Sequence, residues 1–302
     1  MAYTKHQTAI VESEAVGDGA RIGAFSHILP GARIGGRCVI GEHTLVDNGA
    51  IVGDNVVVQA GVQIRDGVTL EDGVFVGANA TFVHDPKLRI TVKRGASIGA
   101  NATILAGLTI GERASISAGA VLTHDAPPSA ILSGNPARIV GYAGVEPLAA
   151  GRAPAAIEVG PHPASVRGVV LHRLPLIDDL RGQLSFGEAG RHVPFLVKRY
   201  FLVFGVSSEY LRGEHAHKTL HQFLVCVRGR CHLVADDGVN RQEFVLDSPA
   251  TAVYLPPMTW AVQYKHSADA VLLVLCSDPY DPADYIREYS EFLALRAAEG
   301  GR

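Results

Sequence analysis

Cysteine is scarce in this chain and unpaired in pattern. There are four residues, Cys38, Cys226, Cys231 and Cys276, with no Cys-x-x-Cys and no dense framework. That argues against a disulfide-stapled scaffold and fits reduced thiols in a cytosolic protein. An excess of one charge is also missing: the formal net charge is -3, which gives nucleic acid or an anionic membrane no electrostatic reason to bind. No run of about 18 apolar residues occurs, so no membrane span is expected. The opening "MAYTKHQTAIVESEAV" lacks a long apolar segment behind a basic end. It predicts no signal peptide and hence a cytoplasmic location. What the chain does have is length and apolar content. With 302 residues, 47% hydrophobic and 19% charged, it can bury the cores of two domains.

Glycine is concentrated in the first half, and there the sequence repeats every six residues. Stepping by six from Val16 gives Ile22, Ile28, Ile34, Ile40, Val46, Val52, Val58, Ile64, Leu70, Val76 and Phe82. The register then slips by four residues, resumes at Val92 and runs through Ile98, Ile104, Ile110 and Ile116 to Leu122. This period suits neither an isolated helix nor a hairpin. It suits a parallel β-helix of about six coils, with three flat faces per coil and one inward aliphatic residue per face. Glycine often follows the aliphatic residue, as in "VGDGAR" and "IGANAT", and is expected at corners that need positive φ. The four extra residues near "VHDPKLRIT" should loop outward, and loops on rigid scaffolds often carry chemistry.

These hexads resemble those of the hexapeptide-repeat acyltransferases, over about residues 8–145. The resemblance implies a left-handed β-helix, acetyl-CoA as cosubstrate and a homotrimer or larger assembly. The tail "PPSAILSGNPARIVGY" is similar to the family's closing segment and implies that Gly134, Asn135 and Arg138 flank the cofactor. A guanidinium fork such as Arg138 suits a phosphate. In the sugar N-acetyltransferases of this family an Asn-Asp pair follows "TFT"; here the text is "TFVHD". His84 can then act as general base on an amine or hydroxyl, with Asp85 orienting the imidazole or receiving an ammonium. His27, His43 and His124 read as solvated surface positions.

From Ala143 to Arg167 the register is lost and Pro, Ala and Gly dominate, so 1–145 and 168–302 read as domains joined by a linker over 146–167. Beyond Gly168, short β-rich runs such as "HQFLVCVRG" and "AVLLVLCS" alternate with turn signals. They predict an all-β sandwich or barrel. The ending "DPADYIREYSEFLALR" predicts a helix capped by Asp281, with Pro282 at its first position, Asp284 in its first turn, and Ile286, Tyr289, Phe292 and Leu293 on one face.

The stretch "RGEHAHK" places His215 and His217 at i and i+2, on one face of a strand. A small barrel carrying His-x-His resembles the cupins. Their remaining ligand positions fall here on Gln222 and near Trp260, so two imidazoles and an amide remain, and no metal is expected. The second half also resembles the nucleotide-sugar 3,4-ketoisomerases, in which "RGxHAHK" recurs. "HLVADDG", "YLPPMTW" and "SDPYDPADYIREYSEFL" extend the match over nearly the whole domain. That family moves the carbonyl of a dTDP-4-keto-6-deoxyhexose from C4 to C3. The resemblance implies His215 and His217 as acid and base, and Arg212 or a tyrosine as oxyanion partner. Family members use a tyrosine on the preceding strand; "KRYFLVFGV" offers Tyr200, with Phe201 or Phe204 as competing registers and Tyr210 as the other candidate. Arg199 is in place to contact nucleotide or phosphate.

Joined, the halves resemble the bifunctional ketoisomerase/N-acetyltransferases of bacterial surface-polysaccharide pathways. Such a chain acts on dTDP-linked deoxysugars, and a separate PLP-dependent aminotransferase supplies the 3-amino sugar. An O-acyltransferase carrying a noncatalytic sugar-binding module is the alternative.

Overall fold

The computed structural model describes residues 2–145, 158–207 and 210–300. The chain divides into two compact units, Met1–Ala143 and Gly144–Arg302. Most of the expected linker, residues 146–157, lies outside the described residues. Its last part does not behave as a linker: Gly160–Pro163 is a strand paired with Val170–Arg173, and Val166 is fully buried.

The first unit is a parallel β-helix with faces of nine, seven and five strands. Strand partners stand one coil apart: Arg21 pairs with Val39, Val39 with Val57 and Val57 with Phe75. Across the outward loop the spacing lengthens by the four inserted residues, so Phe75 pairs with Ser97 and Thr81 with Thr103. Of the repeated aliphatic positions all but the half-buried Val16 are buried, none more than 4% exposed. A second inward row stands two residues earlier; it is small at Ala20, Ala32, Cys38, Ala50, Ala96 and Ala114, and filled by Val56, Val62, Val68 and Val74 in the middle coils. Burial pushes the Cys38 thiol up, as expected for a thiol serving as a small apolar group.

The glycine expectation needs correction. The glycine after the aliphatic residue is not the positive-φ position. A Cβ on Gly77 would lie 2.5 Å from the backbone nitrogen of Ala100, so that glycine permits close stacking of coils. Positive φ falls two residues later, at Gly19, Gly61 and Asn79 but also at Phe25, Arg37 and His43. There Phe25 and His43 stack on successive coils at 5.0 Å. The solenoid closes with an antiparallel hairpin of Ala130–Ser133 and Arg138–Tyr142.

The second unit packs a six-stranded antiparallel sheet against a five-stranded one. In Gln222–Arg228 strict alternation sends Leu224 and Cys226 into the core between the sheets. Phe223 and Val225 point to a smaller cluster with Leu174 and Val193 on the other face. Gln222 stands at the end of the inward row. The expected C-terminal helix breaks into three pieces: a 3₁₀ turn at Pro282–Asp284 capped by Asp281, a strand Tyr285–Ile286, and a helix Tyr289–Gly300. The interruption has a cause. Tyr285 and Ile286 pair with His217 and Ala216, and the cross-strand bonds outcompete helix continuation.

Candidate active site

A cavity of about 570 Å³ opens beside the Arg212–His217 strand. Its walls come from Arg199–Phe204, Arg212–His217, Trp260–Tyr264, Gln222 and the segment carrying Tyr280, Tyr285 and Arg287. The local sequence explains how the histidines are aimed. A β-bulge lies between Gly213 and His215, with Glu214 at φ 54 and Gly213 at φ 88. A Cβ at Gly213 would lie 2.6 Å from the Ala261 carbonyl oxygen, so only glycine allows this approach. The bulge turns the Gly213 carbonyl toward His215 Nδ1, at 2.8 Å.

The imidazoles meet as their spacing predicts, with ring centroids 4.9 Å apart and planes near perpendicular. A carbonyl oxygen can only accept, so His215 Nδ1 carries its proton and Nε2 its lone pair. His217 is buried at 5% exposure, and its Nδ1–H donates to Asp284 Oδ2 over 2.9 Å. Asp284 is itself held by the Thr219 N–H at 2.7 Å and hydroxyl at 2.8 Å. The His217 Nε2 faces the Gln222 amide nitrogen at 3.5 Å. Burial drives the His217 pKa down to about 4, His215 adding to the effect and Asp284 opposing it. Burial also lowers His215, against the Gly213 hydrogen bond and with the Arg287 charge. For Asp284 burial acts upward, but the Thr219 and His217 hydrogen bonds hold it below the usual carboxylate range. Both rings are therefore neutral near pH 7, with Nδ1–H tied and Nε2 available as base.

Arg212 stands exposed at the cavity wall and Gln222 is buried in it. Arg199 lies one layer behind: its guanidinium covers Phe201 and Tyr280, and Nη2 donates to Cys276 Sγ at 3.5 Å. Tyr200 requires correction. Alternation in Arg199–Phe204 turns Phe201 and Val203 toward the core and leaves Tyr200, 67% exposed, and Phe204 on the opposite face. Tyr200 and Tyr210 are absent from the cavity wall, whereas Phe201 and Phe204, the competing registers, line it. The tyrosine beside the histidines is Tyr285, 4.8 Å from the His215 ring and 4.4 Å from the His217 ring, and Arg287 lies over it at 4.4 Å. Asp284, Tyr285 and Arg287 are not legible as site residues while "ADYIRE" reads as the start of a helix. An Asp-Tyr pair just before the helix was the available signal. For a metal, the donors on offer are two imidazole nitrogens and an amide. Among the described residues no group of three His, Cys, Asp or Glu side chains could hold one. The set does not fit the usual first shell of zinc or iron.

In the solenoid, His84 is exposed on the loop between Thr81–Phe82 and Ile90–Val92. Asp85 does not reach it with a hydrogen bond; its Oδ1 accepts from the Lys87 N–H at 2.9 Å and shapes the loop. Gly134, at φ 99, and Asn135 form the turn of the closing hairpin, and exposed Arg138 begins its return strand. The Gly134 carbonyl accepts from Val121 N–H at 3.0 Å. Val121 lies two coils beyond Thr81 on the seven-stranded face, about 10 Å along the axis. His27 pairs with Glu12 at 2.7 Å, and His124 bonds the Thr123 hydroxyl.

The family model described as WxcM-like, C-terminal, matches residues 167–297. Bacterial transferase hexapeptide repeats match 16–48 and 49–84, and the hexapeptide repeat of succinyl-transferase matches 90–124. A TDP-4-oxo-6-deoxy-α-D-glucose-3,4-oxoisomerase of Aneurinibacillus thermoaerophilus is 46% identical over 116 residues, 38% of this chain and 84% of that protein. A dTDP-3-amino-3,6-dideoxy-α-D-galactopyranose 3-N-acetyltransferase of the same organism is 57% identical over 147 residues, 45% of this chain and 77% of that one. A solved 3,4-ketoisomerase from Helicobacter canadensis shares 33% identity over 43% of this chain and 98% of its own, with a TM-score of 0.42.

Proposed function

We propose, from the premise that the chain belongs to the hexapeptide-repeat transferases over its first unit and to the WxcM-like family over its second, that it is a bifunctional enzyme of dTDP-3-acetamido-3,6-dideoxyhexose synthesis. The second unit isomerises a dTDP-4-keto-6-deoxyhexose to the 3-keto sugar. The observation that carries this is the pair of neutral imidazoles with both Nδ1–H groups tied down and Gln222 beside them. The C4 carbonyl acidifies the C3 proton. An Nε2 lone pair removes that proton, and the electrons left behind form an enediolate across C3 and C4. A proton returned to C4, together with passage of the hydroxyl proton from the C3 oxygen to the C4 oxygen, leaves a carbonyl at C3 and a hydroxyl at C4, so atoms and charge balance without redox change. With rings 4.9 Å apart, a charge on one disfavours a charge on the other, so the pair carries one proton at a time. Arg212 and Arg287 on the wall offer positive charge to the enediolate or the diphosphate.

The solenoid transfers acetyl from acetyl-CoA to the 3-amino group that an aminotransferase installs. The amine attacks the thioester carbonyl, the CoA thiolate leaves, and His84 takes the ammonium proton. Gly134, Asn135 and Arg138 flank the CoA, and Asp85 approaches the substrate. The site is shared between solenoids of a homotrimer. Incubation with dTDP-4-keto-6-deoxyglucose in deuterium oxide should label the hexose ring. Adding an aminotransferase and acetyl-CoA should then yield the acetamido sugar by mass and NMR analysis. Folded protein that exchanges no deuterium would instead be a sugar-binding module attached to a transferase.

A further inference from the structure

Isomerisation moves two protons, and the histidine pair accounts for one of them. The carbon-bound proton leaves C3 and returns at C4. The hydroxyl proton must also pass, from the C3 oxygen to the C4 oxygen. A group that serves both oxygens needs a donor and an acceptor in one. A hydroxyl has both, whereas a guanidinium only donates. The imidazoles are already engaged: each has its Nδ1–H tied to the protein, and the pair carries one proton at a time.

Among the described residues that line the cavity there is no serine or threonine, and the tyrosines are Tyr280 and Tyr285. Tyr280 lies against Arg199 and Tyr285. Tyr285 is the one that touches the histidines. Cross-strand register sets it directly opposite His217, so the two side chains leave the same face of the sheet. Its ring is held by His215 at 4.8 Å, His217 at 4.4 Å and the Arg287 guanidinium at 4.4 Å. Its hydroxyl takes no part in that packing. It is open to solvent and makes no hydrogen bond to any described residue. Other tyrosine hydroxyls of this unit are engaged: Tyr254 with His221, Tyr264 with Glu243 and Tyr289 with Asp236.

The inference rests on the isomerase reading. We infer that Tyr285 is a catalytic residue that relays the hydroxyl proton between the two sugar oxygens. In the enediolate the C4 oxygen carries the charge and the C3 oxygen the proton. The Tyr285 O–H bond breaks and its proton goes to the C4 oxygen. The phenolate oxygen takes the proton of the C3 hydroxyl, which restores the tyrosine and moves the charge to the C3 oxygen. That electron pair forms the C3 carbonyl as the imidazolium returns its proton to C4. Atoms, electrons and charge balance, and no co-reactant is consumed. Without the relay the enediolate collapses to the starting 4-keto sugar.

The test separates the two protons. Wild type and Tyr285→Phe are each incubated with dTDP-4-keto-6-deoxyglucose in deuterium oxide. NMR follows deuterium entering C3 of the recovered 4-keto sugar and, separately, formation of the 3-keto sugar. Phenylalanine keeps the ring and its contacts, so exchange at C3 should continue. Isomerisation should fall by about 10²-fold, the low end for a positioned acid or base. The ratio of exchange to isomerisation should therefore rise by about tenfold or more. Isomerisation within about twofold of wild type overturns the proposal and leaves solvent as the carrier. An equal loss of both rates also overturns it, because the tyrosine then only holds the rings. A fluorinated tyrosine at position 285 covers a variant that fails to fold. Its more acidic phenol should move the alkaline limb of the isomerisation rate to lower pH and leave exchange in place; an unmoved limb counts against the relay. Wild type that neither exchanges nor isomerises sinks the isomerase reading itself, whereas an active wild type confines the failure to Tyr285.

Discussion

In the first unit Ile40 sits between Ile22 and Val58, its counterparts one coil before and one coil after. In the second, His217 is fixed by Asp284, 67 residues further on. The solenoid repeats one local solution, each coil needing only its neighbours. The barrel gathers its cavity from five separated segments, and no one of them reveals the site. Damage should therefore travel differently: along the coils in the solenoid, and into chemistry rather than fold at the barrel cavity.

Substitution at the histidine pair should break the comparison hardest. His215→Asn or His217→Asn is expected to lower the isomerisation rate by about 10²–10⁴, the usual contribution of a positioned acid or base. Acetylation of a 3-amino sugar, assayed on the same preparation, should be unchanged. Parallel loss of both activities would point to misfolding and not to catalysis.

A core substitution in the solenoid should do the reverse. Ile98 is fully buried, and Ile98→Ala removes aliphatic contacts that the coils above and below cannot refill. A cost of about 2–5 kcal/mol is expected, read as an earlier melting transition with acetyl transfer lost first and isomerisation retained. An unshifted transition would contradict the packing described for the first unit.

The smallest expected effect is on pH dependence. His217 titrates near 4 when folded, below the ordinary histidine value of 6.5. Between those limits the unfolded chain binds the extra proton, so stability is full above about pH 6.5 and declines as pH falls toward 4. Denaturant titrations across that window should show the decline in the second unit, and His217→Gln should flatten it. An unchanged slope in the variant would assign the acid sensitivity elsewhere.

Much of the fold was legible because period carries it. Six-residue spacing gave the β-helix, its inward aliphatics and the outward loop before Val92. It misassigned the glycines, since a residue that permits close backbone approach and one that adopts positive φ look alike in a string. In the barrel the i, i+2 spacing of His215 and His217 was enough to bring the rings together. Tyr200 failed because alternation cannot be phased from sequence when both faces of an edge strand are apolar: Phe201 and Val203 pack inward while Leu202 and Phe204 do not.

The amino-acid order by itself determined the two-part organisation, the repeating coils and a pair of imidazoles on one strand face, because each depends on residues close in sequence. Only the tertiary structure decided that Asp284 holds His217 and that Tyr285 and not Tyr200 stands beside the rings. Those relations cross strands far apart in the chain, and their register is set by packing over the whole sandwich.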